Sequence, residues 1–325
     1  MTKSSYEYEF DVCPFILKNF FHYIRTIRGK EANTVRSYYY SLKQFFLYIL
    51  HYKGYIQEES SDYKTLALID EELIKSVTSE DILSYLYYSS SVHKTANSTR
   101  GNHLSAIKQY FEYLYFHAKL IEVDPAVQIG SPKKPKKLPK YLTLEQALDL
   151  LKAVDGDFKE RDMCILVLFL NCGIRISELV GLNYKDIRPD NTILIHGKGN
   201  KERILYLNKA CIQAIEEYKA VRPVDGLKDK DAFFVSRLLN RISTNTVRHM
   251  VESNMEKIGL GGQGYSPHKL RHTAATLMHS NGVDIRTLQE VLGHNNLATT
   301  QIYTHIANEQ VKSALESNPL ANENQ

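Results

Sequence analysis

The chain has 325 residues, 43% of them hydrophobic and 24% charged, which suits a soluble globular protein with room for two domains and ordinary apolar cores. Its formal net charge of +4 is small but uneven: residues 1–132 carry 14 Lys and Arg against 15 Asp and Glu, and the remainder carries 27 against 22. Five of those positives, Lys133, Lys134, Lys136, Lys137 and Lys140, fall in one stretch, which argues against a uniformly basic nucleic-acid coat and for a local contact with a polyanion.

In chain order, the first expected element is a helix over about Phe15–Ile27. Asn33-Thr34 can cap a second, whose apolar and aromatic residues Val35, Tyr38, Tyr39, Leu42, Phe45, Phe46 and Ile49 recur at steps of three and four. Tyr52–Ser76 is polar and poorly periodic, a long connection with partial helix. A third helix covers about Ser79–Ser89. Thr95–Leu120 is a fourth, opened by Asn97, Ser98 and Thr99 and striped by Leu104, Ile107, Tyr110, Phe111 and Leu114. The opposite faces carry Arg36, Lys43, Arg100 and Lys108, which on their own suit a solvated surface.

A break follows at Gly130-Ser-Pro-Lys-Lys-Pro-Lys-Lys-Leu-Pro-Lys140. Three prolines and five lysines in eleven residues cannot continue a helix, so residues 131–140 are expected to be an extended linker. It reads equally as a solvated spacer or as a cationic strap along a phosphate backbone. Residues 1–130 then form an N-terminal four-helix domain and residues 141–325 a second domain.

Thr143 opens the second domain with a helix, and a further helix from about Glu160 to Asn171 is apolar at nearly every position past Asp162, which marks it as central. Gly173 ends it, Arg175 follows, and a short helix covers Ser177–Leu182. Thr192–His196 and Arg203–Leu207 read as strands around Gly197-Lys198-Gly199-Asn200, a hairpin with Lys198 at its tip. Helices are expected at about Asn208–Val221, Ser243–Ile258, Pro267–Ser280, Asp284–Leu292 and Asn296–Thr304. The predicted fold is mainly α with a small antiparallel β-sheet.

The four cysteines, Cys13, Cys164, Cys172 and Cys211, have no CxxC pair and no metal-ligand spacing, and read as free buried thiols. The N-terminal residues lack the charge and apolar pattern of a signal peptide, and the longest apolar run, Met163 to Leu170, is eight residues, too short to span a bilayer. A cytoplasmic location is expected.

The chemistry concentrates in Ser266-Pro-His-Lys-Leu-Arg-His-Thr273 and Leu292-Gly-His-Asn-Asn-Leu-Ala-Thr-Thr-Gln-Ile-Tyr-Thr-His305. A phosphodiester attacked by a phenolic oxygen needs cationic hydrogen-bond donors, a proton carrier and a tyrosine on a movable segment; His268, Arg271, His294 and Tyr303 supply these types. Ser266 and Pro267 suit a helix start, where an anion is favoured, and His268 and Arg271 lie three apart on one side. Alone, this also fits an ordinary capped helix. His268 and His272 match a two-ligand zinc spacing, but the glutamate of the metalloprotease motif is absent, so no metal is expected. Arg175, between two isoleucines, needs a planar anion, either Glu178 or a ligand phosphate. Lys198, at a hairpin tip without a Walker loop, is by itself a surface lysine.

Together, Arg175, the Gly-Lys-Gly hairpin, His-x-x-Arg and Leu-Gly-His…Tyr-Thr-His resemble the tyrosine recombinase (phage-integrase-like) family, most closely its Xer branch. The likeness extends to Asn33-Thr-Val-Arg-Ser-Tyr38 and Ser105-Ala-Ile-Lys-Gln-Tyr-Phe-Glu-Tyr113, which resemble that family's core-binding (SAM-like) domain, and to Leu138-Pro-Lys-Tyr-Leu-Thr-Leu-Glu145, which resembles its interdomain junction. The resemblance implies a site-specific recombinase that cuts and rejoins DNA through a 3′-phosphotyrosyl intermediate, without metal or ATP. Tyr303 would be the nucleophile, Arg175 and Arg271 the phosphate clamp, Lys198 the acid toward the leaving 5′ oxygen, His268 the acceptor of the tyrosyl proton and His294 a hydrogen-bond donor to phosphate.

It further implies that the helix opened by Ser243-Thr-Asn-Thr-Val-Arg248 enters the major groove with Arg241 and Arg248, and that Lys133, Lys134, Lys136 and Lys137 close a clamp with the N-terminal helices that carry Arg36 and Arg100. The amphipathic tail Asn308–Leu320 would dock on a neighbouring protomer in a homo- or hetero-tetramer with a related recombinase on double-stranded DNA sites, with a DNA translocase as regulator and no membrane partner. The long Tyr52–Ser76 connection and Asn318-Pro319, where a His-Pro pair is commoner in this branch, leave open chromosome or plasmid dimer resolution against a mobile-element integrase. A type IB topoisomerase and a cleavage-inactive DNA-binding regulator are the remaining alternatives.

Overall fold

The structure, a computed structural model, describes residues 10, 13–132, 140–197 and 202–293. Lys133, Lys134, Lys136, Lys137, Lys198, His294, Tyr303, the expected helix at 296–304 and the tail at 308–320 lie outside the described residues. The chain divides into two compact units, Met1–Lys136 and Lys137–Gln325.

In the first unit, α1 (Phe15–Thr26) and α2 (Ala32–Tyr52) precede a 3-10 turn at Tyr63–Leu68, the short α3 (Glu71–Lys75), α4 (Ser79–Ser91) and α5 (Asn97–Phe116). α2 buries Val35, Tyr39, Leu42, Phe45, Phe46 and Ile49, the stripe expected from its spacing, and packs on α5. The helix begins earlier than the Asn33-Thr34 cap would place it. Glu31 is the extended cap residue, and its carbonyl accepts from the backbone N–H groups of Thr34 and Val35 at 2.9 and 3.1 Å. α5 starts at Asn97, where the Asn97–Thr99 cluster opens it, with Ala96 as the cap residue. Tertiary packing of the stripes sets these starts, and no capping side-chain bond forms at either.

The connection after α2 is less loose than its polarity suggests. Asp62 and Asp70 cap its two short turns, and Leu66, Ile69, Leu73 and Ile74 enter the core. That core is aromatic: Phe20 and Tyr110 meet edge-on at 5.2 Å, as do Phe45 and Tyr85 at 5.3 Å. Each such ring fully withdrawn from water contributes on the order of 2–3 kcal/mol. At the start of α4, Thr78 and Asp81 form a reciprocal capping box, and Lys53 Nζ lies 2.8 Å from Asp81 Oδ2.

The second unit is built around α7 (Lys159–Cys172), which follows α6 (Leu144–Lys152). Every residue of α7 from Cys164 to Leu170 is buried, as expected for a helix apolar on all sides. Next come α8 (Ile176–Gly181), strands β1 (Thr192–His196) and β2 (Glu202–Tyr206), α9 (Lys209–Val221), α10 (Thr244–Lys257), α11 (Pro267–Ser280) and α12 (Ile285–Leu292). α6, α9 and α11 pack against α7, α10 reaches α6, α8 and α11, and α12 rests on α11.

The two strands pair antiparallel, Thr192 opposite Tyr206 through His196 opposite Glu202. Ile193 and Ile195 bury one face of β1, which ties the hairpin to the core. All four cysteines are free and buried, with Cys172 and Cys211 Sγ atoms 3.5 Å apart. No described helix is long and apolar enough to cross a membrane.

Candidate functional site

Three of the six chemistry-bearing positions, Arg175, His268 and Arg271, are among the described residues, and the fold brings them to the end of the buried helix α7. Gly173 stops that helix in the left-handed region at φ +58°. A Cβ at Gly173 would stand 2.6 Å from Leu292 Cδ2 and 3.6 Å from Arg271 Cγ, so the backbone passes directly against α11 and α12. Ile174 is buried, and Arg175, in extended conformation, caps α8.

Arg271 is not a surface residue. It sits on the inner side of α11, 3% exposed, donating from Nη1 to the Gly173 carbonyl and from Nη2 to the Leu292 carbonyl, both at 2.6 Å. Its guanidinium thus ties the end of α7 to the end of α12. Ser266 takes the cap position of α11 and Pro267 the first turn, although the Ser266 hydroxyl makes no capping bond. A stripe set by Leu270, Ala274 and Ala275 orients the helix instead.

Arg175 leaves its side chain 39% exposed. Its Nη1 donates to Glu178 Oε1 at 2.8 Å, its backbone N–H to Glu178 Oε2 at 2.9 Å, and its Nη2 to the Gly293 carbonyl at 2.8 Å. Arg203, on β2, reaches the same carboxylate from the other side. Burial alone would raise the Glu178 carboxyl, but hydrogen bonds from Arg203 and Arg175, with the charge of Arg203, overcome it and hold the group at about 2. The acid is therefore ionised at any working pH.

His268 is at the surface of α11, one turn from His272, with the two rings edge-on at 5.1 Å. Partial burial, then the positive charges of Arg271, Lys269 and Arg175, hold His268 below the ordinary histidine range. The same causes, burial first and then His268, Lys269 and Arg271, bring His272 down to about 4. Both rings are neutral near pH 7, so His268 can accept a proton. No group of described residues has the His, Cys, Asp and Glu needed to hold a metal.

Chemically, Arg175 and Arg203 share one buried carboxylate, Glu178, while Arg271 binds only main-chain carbonyls, which leaves a local excess of positive charge next to an uncharged base. Two of the arginines already bind main-chain oxygens of Leu292 and Gly293 at the C-terminal end of α12, where the helix dipole is negative. His294 comes next in the chain. Such a setting favours an oxyanion such as a phosphate diester.

The other expected contacts separate by what they touch. Arg36 is exposed, its guanidinium over the Tyr40 ring at 5.8 Å. Arg248 is exposed and donates to Asn245 at 3.1 Å. Arg100 bends back onto its own helix start, donating to the Thr95 carbonyl and Asn97. Arg241 is committed to the protein: Nε donates to Asp229, Nη1 to the Val180 and Leu182 carbonyls, and Nη2 to Asn183. Those bonds staple the loop before α10 to the end of α8. Arg241 therefore has few donors left over, and the bonds it makes close that loop.

Residue-by-residue reading passed over Arg203 and Gly293. A signal for Arg203 exists: in β2 it shares the inward phase with Leu205, and a cation on the inner face of a strand requires an acid partner.

Residues 140–310 match the phage integrase family. Among curated proteins, the chain is 44% identical over 312 residues to the tyrosine recombinase XerC of Caldanaerobacter subterraneus subsp. tengcongensis, covering 95% of this chain and 88% of that protein. It is 32% identical to the tyrosine recombinase XerD of Halalkalibacterium halodurans, covering 91% and 94%. Among solved structures, XerH recombinase bound to a palindromic difH substrate in a post-cleavage complex superimposes with a TM-score of 0.67 at 22% identity, covering 97% of each chain. A lambda integrase dimer on a COC′ core site gives 0.65 at 16% identity, covering 86% and 94%. At those identities the structures share a fold with this chain.

Proposed function

The chain belongs to the phage integrase family, and from that premise we propose that it is an Xer-like site-specific recombinase which cuts and rejoins double-stranded DNA through a 3′-phosphotyrosyl link, with Tyr303 as the nucleophile. The observation that carries the assignment of roles is the paired guanidinium groups of Arg175 and Arg271, assembled on the residues that lead into His294.

In the step this arrangement supports, the Tyr303 phenolic oxygen attacks phosphorus and its proton passes to the neutral His268 ring. Negative charge grows on the non-bridging oxygens and is met by Arg175, Arg271 and His294. The bond from phosphorus to the 5′ oxygen breaks, and Lys198 delivers a proton to that oxygen. The new tyrosyl phosphodiester keeps the energy of the one it replaces, so a 5′-hydroxyl from a partner duplex can reverse the chemistry and complete an exchange. Loss of one charge-stabilising donor from such a site slows the step by roughly 10²–10³-fold.

Arg36, Arg100 and Arg248, with Lys133, Lys134, Lys136 and Lys137, are the side chains we assign to DNA, mainly through phosphates. Four protomers on two sites, docked through the tail at 308–320 and with a DNA translocase as regulator, form the assembly we favour for resolving chromosome or plasmid dimers in the cytoplasm.

Full-length protein incubated with a nicked suicide substrate should give a covalent adduct that Tyr303→Phe abolishes while leaving DNA affinity nearly intact. Adducts that survive the substitution refute the assignment. A two-site plasmid distinguishes the outcomes further: recombinant product supports the reading, relaxation alone indicates a topoisomerase, and retention without adduct indicates a DNA-binding regulator.

A further inference from the structure

Arg203 stands on β2 opposite Ile195, on the strand phase that also buries Leu205. Its Nη1 and Nη2 each donate to one oxygen of Glu178 at 2.9 Å, a two-point grip on a residue only 6% exposed. Glu178 in turn holds Arg175 by both its backbone N–H and its Nη1. The orientation of Arg175 therefore passes through a carboxylate that Arg203 holds at both oxygens.

The same guanidinium has a second neighbour. A Cβ at Gly293 would lie 3.1 Å from Arg203 Nη1 and 3.2 Å from its Cδ and Cζ, so the Gly293 backbone rests on Arg203 while its carbonyl accepts from Arg175. One side chain thus connects the hairpin that carries Lys198, the acid that orients Arg175, and the residue that precedes His294.

We propose that Arg203 is a positioning residue for strand cleavage: through Glu178 it fixes the direction of Arg175, and through Gly293 it braces the end of α12. The inference rests on the reading of Arg175 as part of the phosphate clamp. Arg203 itself meets no reacting atom, because its side chain is 18% exposed and both Nη groups are spent on Glu178. The planar fork is essential to this role. A lysine ammonium at the same place can satisfy one carboxylate oxygen and leaves Glu178 free to pivot.

The test is single-turnover cleavage of a suicide DNA substrate at saturating full-length protein, with DNA affinity and melting temperature measured in parallel. Arg203→Met, which keeps bulk without charge, should cleave about 100-fold more slowly, the scale of a small misplacement at a reacting centre, with affinity changed little. Arg203→Lys should recover part of the rate. In the Glu178→Gln background, Arg203→Met should add no further loss, because both act along one chain of contacts. Multiplicative losses in the double variant overturn the proposal, as does Arg203→Met cleaving at the wild-type rate. Should Arg203→Met fail to fold, Arg203→Lys decides: wild-type cleavage by that variant overturns the two-point requirement. Wild type and Tyr303→Phe run alongside. No adduct from wild type, or adduct from Tyr303→Phe, removes the cleavage reading itself, whereas normal adduct chemistry with an indifferent Arg203 removes only this inference.

Discussion

Replacing Gly173 by alanine perturbs the site at its most constrained backbone position. Two costs can be separated. The residue holds φ +58°, where an L side chain costs roughly 1–2 kcal/mol. The added Cβ would also stand 2.6 Å from Leu292 Cδ2, which must move within a packed interior at a further cost of roughly 1–3 kcal/mol. Together they amount to about 3 kcal/mol, or a fall in melting temperature of roughly 6–12 °C for a unit of this size. Gly156 supplies the control. It holds φ +84° with nothing within 4 Å of where a Cβ would stand, so Gly156→Ala carries the strain without the collision. Calorimetry of the full chain should show a clearly larger drop for Gly173→Ala than for Gly156→Ala. Leu292 presents one of the two carbonyls gripped by Arg271, so DNA cleavage by Gly173→Ala should fall as well. Equal shifts for the two variants, or full cleavage by Gly173→Ala, would refute the close packing of Gly173 against α12 and its link to the arginine clamp.

Arg271→Ala should destabilise the protein by about 3 kcal/mol, because it strands two buried carbonyls, whereas Arg175→Ala, at a half-exposed position, should cost under about 1 kcal/mol; urea midpoints compare them, and both should lose cleavage. Arg248→Ala should leave stability within about 0.5 kcal/mol, weaken DNA binding and reduce the salt slope by about 1, while Arg241→Ala should lower the melting temperature first; equal behaviour of the pair in a salt titration would contradict their different partners. Acid should loosen the site in two stages. His268 and His272 are held below their ordinary value of 6.5, His272 at about 4, so the stability they contribute is complete above 6.5 and declines as pH falls below it. Glu178, held at about 2 against an ordinary 4.5, contributes stability above 4.5 that is lost as pH falls toward 2. Amide exchange in α11 and α8 across this range checks both stages, and a flat profile between 6.5 and 4 would contradict the first.

Much of the fold was legible in the residues alone. The stripe from Val35 to Ile49 and the all-round apolar run of α7 report helices directly, since burial at steps of three and four is a local property. The start of α2 was less legible: the helix begins at Ala32, before the cap that Asn33-Thr34 suggests, because packing of the stripe outweighs a cap bond of about 1 kcal/mol, whereas α5 opens at Asn97 as its cluster indicates.

The sequence by itself determined the order of the described elements, the pairing of β1 with β2 and the helix stop at Gly173, and by resemblance it pointed to six positions for a chemical role. What only the tertiary structure decided is where the charges go. Arg271 reads as sharing one side of a helix start with His268, and the fold buries it against the carbonyls of Gly173 and Leu292. Arg241, expected by resemblance at DNA, spends its donors on closing a loop on Val180, Leu182, Asn183 and Asp229. Arg203 reads as an ordinary strand residue, yet it holds the acid that holds Arg175. The physical reason is common to all three. A guanidinium finds its acceptors among groups distant in the chain, and which carbonyl or carboxylate lies within about 3 Å is settled only when the helices and the hairpin have packed.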